Sequence, residues 1–412
     1  MTDTQLTIGM PTSTFLPALG GVEIGLHNIA TRLLARGHTP VIAAPAGSVR
    51  ALRQTGIKLP YKVESFPPKT LTLIQHWPDL GTRFLAGWLA RFERQNRINA
   101  WHATVGFPTG VATIRHAAGR RPHLVRCAGE DIQIAPELGY GMRLNPKIDR
   151  LVRDWLPRAD VLVAITDSVA EEYRKLGVTA AHIRAIPNGV DLDRFRQPVD
   201  RGAIRARHGI EEDTFLFTAV GRNHPKKGYG DLLTAMRGLI DQGQSGFVVA
   251  LAGKDTEALA SKAAALGLGD RVRLLGPMGQ PMLGDGLKLP GEDLVDLYRA
   301  ADGFVFPSHV ETFGIALVEA MAAGLPIITT DGPGCRNIIE DGRWGEMVPA
   351  GNPEALCTAM QKLMTEPDLR QKRTAQAHER AEAFSWDAIV DQYVKVYRDT
   401  MAMACRQEQE NS

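Results

Sequence analysis

Two clusters of side chains in this sequence have the types and spacing to do chemistry. Over residues 303–331, GFVFPSHVETFGIALVEAMAAGLPIITTD, Glu311 and Glu319 lie eight positions apart on either side of a predicted loop-to-helix junction at Gly314. A helix starting near Ile315 leaves its first backbone N–H groups free, which suits a phosphate or a sugar hydroxyl. Glu319 is flanked by Ala316, Leu317, Val318, Ala320, Met321 and Ala322, so its carboxylate must accept hydrogen bonds or carry a heavy desolvation cost. A solvated helix face is the alternative, and apolar neighbours on both sides weigh against it. Over 218–230, TAVGRNHPKKGYG, Arg222 and Lys227 stand five positions apart in a loop that follows a predicted strand. Arg offers a planar fork and Lys a point charge, a pair able to clamp a diphosphate from two sides. Alone, a Lys-Lys loop is more often just solvated; beside the glutamate segment it becomes a site.

Three weaker signals lie in the first half. Gly20-Gly21 follows the first predicted strand but reads Gly-Gly-x-x-x-Gly through Gly25, a departure from the dinucleotide-binding fingerprint that argues against NAD. Close approach to a phosphate needs glycines there, and so does a simple tight turn. Glu130-Asp131 follows Gly129 directly after a strand and is a candidate for acceptor or donor hydroxyls. His102, just after another strand, is a candidate beside the reacting sugar; a histidine next to Trp101 is more often a packed residue.

Short apolar runs alternate with amphipathic stretches, the pattern of parallel-sheet α/β domains. Strands are predicted at 5–10, 39–44, 100–103, 123–127, 161–165 and 183–186, then at 215–220, 247–252, 272–275, 303–306 and 326–329. The first helix shows Ile24, Ile29, Leu33 and Leu34 on one face and is closed by Gly37. The fold class is α/β, two Rossmann-like doubly wound domains facing a cleft, with a C-terminal helix packing near their junction. The domains are assigned to 1–192, on the acceptor side, and 214–383, on the donor side. Residues 193–213 are the linker, and 384–412 the terminal helix and tail.

At 412 residues, the chain is long enough for two cores. Its net charge of +2 argues against a nucleic-acid binder. That balance hides an asymmetry: 23 Lys+Arg against 15 Asp+Glu over 1–192 give +8, which leaves −6 for the remainder. A basic half facing an anionic partner and a scatter of solvated arginines fit equally. The four cysteines, Cys127, Cys335, Cys357 and Cys405, show no Cys-x-x-Cys spacing, so neither a disulfide framework nor a zinc knuckle is predicted. No signal peptide or membrane span is expected, and a cytoplasmic location fits. Arg83, Arg91 and Arg94 interleave with Leu85, Trp88, Leu89 and Phe92, a basic amphipathic stretch compatible with peripheral contact at the inner face of a membrane. Docking on its own domain is the more ordinary role for it.

Taken in order, the early Gly-Gly loop, IPNGVD (186–191), VGR…KKG (220–228), FPSHVETFGIALVEAMAAGLPII (306–328) and DGRWGEMVPAGNPEAL (341–356) resemble the family 4 retaining glycosyltransferases of the GT-B fold, also called group 1. The resemblance is dense in the second half and thinner in the first. It implies that a nucleotide-sugar donor is held by Gly21, Arg222, Lys227, Phe313, Gly314, Ile315 and Glu319. Glu319 would accept the ribose hydroxyls, and Glu311 with the amides after it would orient the sugar. Glu311, Arg222 and Lys227 would be the catalytic groups. It also implies transfer to a glycan or lipid-linked acceptor in cell-surface polysaccharide synthesis, with no cofactor and no metal, because cationic side chains and helix N-termini stabilise the departing diphosphate. Asp191 and Asp193 form an Asp-x-Asp string that holds a metal in the other glycosyltransferase fold; following Asn188-Gly189 at the inter-domain turn, they are expected to be structural. One departure is that Ala128 stands where many relatives carry a histidine near the reacting centre. Another is that Gly332–Ile338 lacks a glutamate common near Asn337. A nucleotide-sugar epimerase of the same architecture and a nucleotide-sugar-binding protein with a degraded site are the alternatives.

Overall fold

The computed structural model describes residues 5–280 and 287–410, which divide into two compact units. The first comprises the chain up to Asn188 together with the C-terminal stretch from Trp386, and the second runs from Gly189 to Ser385.

The first unit is built on a seven-stranded parallel sheet: β1 (Thr7–Pro11), β2 (Thr39–Ala44), β3 (Lys62–Ser65), β4 (Ala100–Thr104), β5 (His123–Arg126), β6 (Val161–Ala164) and β7 (Ile183–Ala185), in the order β3-β2-β1-β4-β5-β6-β7. The second is built on six: β8 (Phe215–Val220), β9 (Phe247–Ala252), β10 (Val272–Gly276), β11 (Gly303–Phe306), β12 (Ile327–Thr330) and β13 (Glu346–Val348), in the order β10-β9-β8-β11-β12-β13. Helices cover both faces of such sheets, which is why central strands such as FVVALA are apolar throughout and buried at every position. Strand order reverses between β1 and β4 and again between β8 and β11, and the crevices beyond the carboxyl ends at these reversals are where open α/β sheets bind ligands.

Residues 193–213, read from sequence as the linker, carry two short helices, Leu192–Arg196 and Arg201–Arg207. Buried Arg205 fastens the second of these to its unit by donating to the Ala300, Glu212 and Thr214 carbonyls at 3.0, 2.7 and 2.9 Å and to Asp302 at 2.7 Å. The terminal helix, Trp386–Glu410, packs within the first unit against the Gly21–Ala35 helix, where Arg36 pairs with Asp391 at 2.7 Å. Cys127, Cys335 and Cys357 are buried free thiols; the side chain of Cys405 lies outside the described residues.

Candidate functional site

In the second unit, the loops that follow β8 and β11 meet at the reversal of strand order. β8 is followed directly by Gly221, whose φ of +154° and close neighbours, Tyr229 Oη at 3.0 Å and Lys227 Cε at 3.4 Å from any added Cβ, leave no room for a side chain. Pro225–Lys227 then form one tight helical turn, closed by Gly228 in the left-handed region. A Cβ on Gly228 would lie 2.0 Å from the Pro307 carbonyl, so this turn rests directly on the chain leaving β11. The Lys226 carbonyl is held three times, by the Ser308 hydroxyl at 3.0 Å and the His309 and Val310 N–H groups at 2.7 and 3.4 Å. His309 Nε2 reaches Asp231 at 2.5 Å.

This clamp delivers Lys227 to Glu311. The ammonium bonds the carboxylate and also sits 4.5 Å from the centre of the Phe306 ring. Burial works to raise the Glu311 pKa, but the charges of Lys227 and Lys226, the Lys227 hydrogen bond and the Thr312 amide outweigh it and hold the carboxyl below its usual value. Arg222, five residues before Lys227, is exposed and has no hydrogen-bonding or ionic partner among the described residues.

Beyond Glu311 the chain turns through Gly314, at φ +85°, into the Ile315–Ala322 helix, which has no side-chain N-cap. Among the described residues the amides of Phe313, Gly314 and Ile315 have no hydrogen-bond partner, so a row of donors opens beside the Lys227–Glu311 pair. Phe313 itself is buried edge-on against Phe384 at 5.9 Å. Glu319, one turn into the helix, is buried and accepts a 2.9 Å hydrogen bond from the Tyr298 hydroxyl. Burial pushes its pKa up to about 7, against the opposing effects of Tyr298 and Arg194. The two glutamates therefore sit in opposite electrostatic states: one held ionised by cations, the other poised near neutrality. Gly334, in the GPGCRNI segment, packs its backbone on the Glu311 loop and donates to the Glu311 carbonyl at 3.0 Å.

The first-unit candidates are placed differently. Gly21 is exposed at the start of the first helix, preceded by extended Gly20. Glu130 is exposed as well. Asp131 is 1% exposed and braces two loops, accepting N–H groups from Gly106 at 2.5 Å, Ala128 at 3.0 Å and Gly129 at 2.7 Å. His102 is enclosed: its Nδ1 meets the Tyr397 hydroxyl at 2.6 Å and its ring stacks on Tyr393 at 5.1 Å. Burial, and next the charge of Arg126, lower its pKa to about 3, so its ring is neutral and has no exposed face. Asp191 stands just before the Leu192–Arg196 helix and Asp193 in its first turn.

Sequence reasoning missed three groups. Glu23, in the first turn after Gly20-Gly21, is a buried carboxyl whose pKa burial raises despite a Thr14 hydrogen bond; its place one turn after the glycine pair was the available signal. The His309–Asp231 pair was signalled by the position of both residues beside the two motifs. Tyr298 had no local signal, since its partner is 21 residues away.

The model of the group 1 glycosyl transferases matches residues 200–380, and that of glycosyltransferase family 4 matches 19–194. The chain belongs to the family 4, group 1 glycosyltransferases. Among curated relatives, a D-inositol 3-phosphate glycosyltransferase of Saccharomonospora viridis is 34% identical over 255 residues, 59% of this chain and 56% of that protein. One so named from Streptomyces avermitilis is 29% identical over 73% of this chain and 62% of its own length. The matched stretch thus spans little more than half of those relatives. Solved structures reproduce the GT-B fold of this family. Anabaena HepE in complex with UDP-glucose aligns at TM-score 0.74 and 20% identity over 97% of this chain and all of that one. Sucrose-phosphate synthase of Thermosynechococcus elongatus gives the same TM-score, identity and coverage.

Proposed function

We propose that this family 4 glycosyltransferase moves a sugar from a nucleoside-diphosphate-sugar to a hydroxyl of an anionic glycan or lipid-linked acceptor, with retention at the anomeric carbon and without a metal. The observation that carries the reading is the meeting of Lys227, Glu311, the open amides after it and buried Glu319 at one reversal of strand order. In the reaction the bond from the sugar C1 to the diphosphate oxygen breaks and the acceptor oxygen bonds to C1 on the same face. A phosphate oxygen of the donor takes the acceptor proton. The charge that must be stabilised develops on the leaving diphosphate, and Lys227, Arg222 and the amides of the Ile315 helix supply it. Glu319 accepts the ribose hydroxyls in place of the Tyr298 hydrogen bond, and Glu311 with its following amides orients the sugar. Structural neighbours are named as complexes with UDP and UDP-glucose, which makes a uridine donor the first to try.

For the acceptor, the name of the curated relatives points to a phosphorylated polyol, and the +8 balance over residues 1–192 favours an anion. Peripheral contact with anionic phospholipid rests on other residues than the sequence singled out. Leu85, Leu89 and Phe92 are buried in their own unit, whereas Trp77 (61%), Leu80 (56%) and Phe84 (46%) are exposed. Beside Trp77 and Leu80 opens a cavity of about 790 Å³ lined by Arg83, Arg115, Lys147, Arg150 and Arg158, with Asp79 and Asp154 pairing the first two arginines and Arg150 and leaving a basic excess.

Incubating the purified protein with a panel of nucleotide-sugars, with and without inositol phosphate or lipid-linked acceptors, tests the reading. Nucleoside diphosphate release that depends on acceptor supports transfer. Conversion of the donor sugar without release identifies an epimerase instead, and binding without turnover a site that has lost activity through changes such as Ala128.

A further inference from the structure

The first unit contains a buried cation with no counter-charge among the described residues. Arg126, the last residue of β5, is 1% exposed; its Nη2 donates to Asn188 Oδ1, while Nε and Nη1 find no well-placed acceptor among the described residues and the guanidinium has only a loose hydrogen bond to the Tyr393 hydroxyl. Nine buried side-chain polar atoms among the described residues lack a hydrogen-bond partner. Five belong to this neighbourhood: Arg126 Nε and Nη1, His102 Nε2, Thr104 Oγ1 and the Tyr393 hydroxyl. Each of the other four stands on a different residue.

The fold brings them together. In the β4–β5 pairing Thr104 is opposite Arg126, and His102 lies two residues before Thr104, so all three project from one face of the sheet. The C-terminal helix covers that face with Tyr393, stacked on His102. The first helix covers it at Gly25, where a Cβ would come within 3.3 Å of Arg126 Nη2. The guanidinium charge is felt by both rings, adding to burial in lowering the His102 pKa and opposing burial at Tyr393.

Buried charges are paired, and a group of orphaned buried donors marks a water or an ion. Water satisfies hydrogen bonds but leaves the charge. With the Tyr397 hydroxyl donating to His102 Nδ1, the imidazole proton sits on Nε2, and Nε2–H and the two Arg126 nitrogens are donors, while the hydroxyls of Tyr393 and Thr104 can each turn their proton to the same point. We propose that this cluster is a built-in anion site, holding one inorganic anion of halide size, chloride in ordinary buffers, as the counter-ion of Arg126. His102, Thr104, Arg126 and Tyr393 are each no more than 1% exposed, so the group is closed to a nucleotide or a lipid headgroup and the proposal is confined to a monatomic anion. The anion joins β4 and β5 to the C-terminal helix, so it acts as a stabilising ligand of the first unit. This inference stands independently of the proposed transfer reaction.

Bromide-soaked crystals measured at the bromine absorption edge test it on the unaltered protein. One anomalous peak within hydrogen-bonding reach of Arg126 Nε and Nη1 is expected. Replacing chloride by gluconate at constant ionic strength is expected to lower the unfolding temperature, with saturable recovery as chloride is restored. Arg126→Met is expected to unfold at a temperature independent of chloride. Should that variant not fold, Tyr393→Phe and Thr104→Val are each expected to raise the chloride concentration for half-maximal protection about five-fold, the equivalent of one hydrogen bond. Ordered water alone at the site in the bromide experiment, or an unfolding temperature indifferent to chloride, would overturn the proposal.

Discussion

The ammonium of Lys227 bonds the carboxylate of Glu311 across 84 residues of sequence, and both side chains are largely withdrawn from solvent, at 14% and 12% exposure. In the absence of donor each is the other's counter-ion. On the proposed reading, a diphosphate arriving at Lys227 takes a cation that Glu311 already holds, and the carboxylate is released to turn to the sugar hydroxyls.

Removing one partner of such a pair leaves a buried charge. Lys227→Ala is expected to abolish detectable transfer and to cost about 3 kcal/mol of stability at pH 7, as is usual for a broken buried pair. The pair lowers the folded-state pKa of Glu311. Its contribution is thus present above the unfolded-state value of about 4.5 and lost as pH falls through the folded value. Chemical denaturation from pH 7 down to pH 3 should show the wild-type advantage over the variant shrinking; a gap that stays constant argues against the ion pair.

Glu319 titrates in the opposite sense. Its folded-state pKa is raised to about 7, so the associated stability is complete below about pH 4.5 and is lost as pH rises through 7. Glu319→Gln keeps an acceptor for Tyr298 without the buried charge, and is expected to be more stable than wild type at pH 8, by up to about 3 kcal/mol on the linkage relation. Glu319→Ala is expected to fold and to show no detectable transfer. Denaturant melts at pH 5 and pH 8 check the first expectation and an acceptor-dependent release assay the second. Normal activity in the Ala variant would remove Glu319 from the site.

Chelation separates this chemistry from metal-assisted transfer. EDTA is expected to leave the rate essentially unchanged, because the proposed reaction meets the leaving charge with Arg222, Lys227 and backbone amides. A strict manganese requirement would return attention to Asp191 and Asp193.

The exposed Trp77, Leu80 and Phe84 are expected to add apolar insertion to the electrostatic attraction of the nearby arginines. Sedimentation with vesicles rich in anionic phospholipid should fall several-fold for Trp77→Ser/Leu80→Ser and at high salt. Equal sedimentation of variant and wild type would exclude this face.

The strands that position the site were legible because they are apolar runs buried on both faces, as in FLFTAV and FVVALA. β3, reading Lys62-Val63-Glu64-Ser65, escaped because it lies at the sheet edge and is half exposed, and β13 because it is a three-residue edge strand that opens on Glu346, where the equally short β7 opens on a β-branched Ile183. The two helices within 193–213 escaped because they are short and are held by arginine contacts to residues about a hundred positions away, not by an apolar stripe. Lys227, Glu311 and Glu319 could be found from local spacing, since loops that leave adjacent strands must meet. The places of His102 and Asp131 could not: one is decided by the terminal helix, 295 residues away, the other by the Gly106 amide. The burial that tunes Glu319 likewise depends on long-range packing that no local window contains.

Whether the second unit holds a nucleoside diphosphate through Lys227 is read out by calorimetric titration of UDP, GDP and ADP into wild type and Lys227→Ala. At least one nucleotide is expected to bind the wild type and to bind the variant about 10- to 100-fold more weakly, the loss of one charge-assisted hydrogen bond to phosphate. Undiminished affinity in the variant, or no binding of any of the three to the wild type, would contradict the reading.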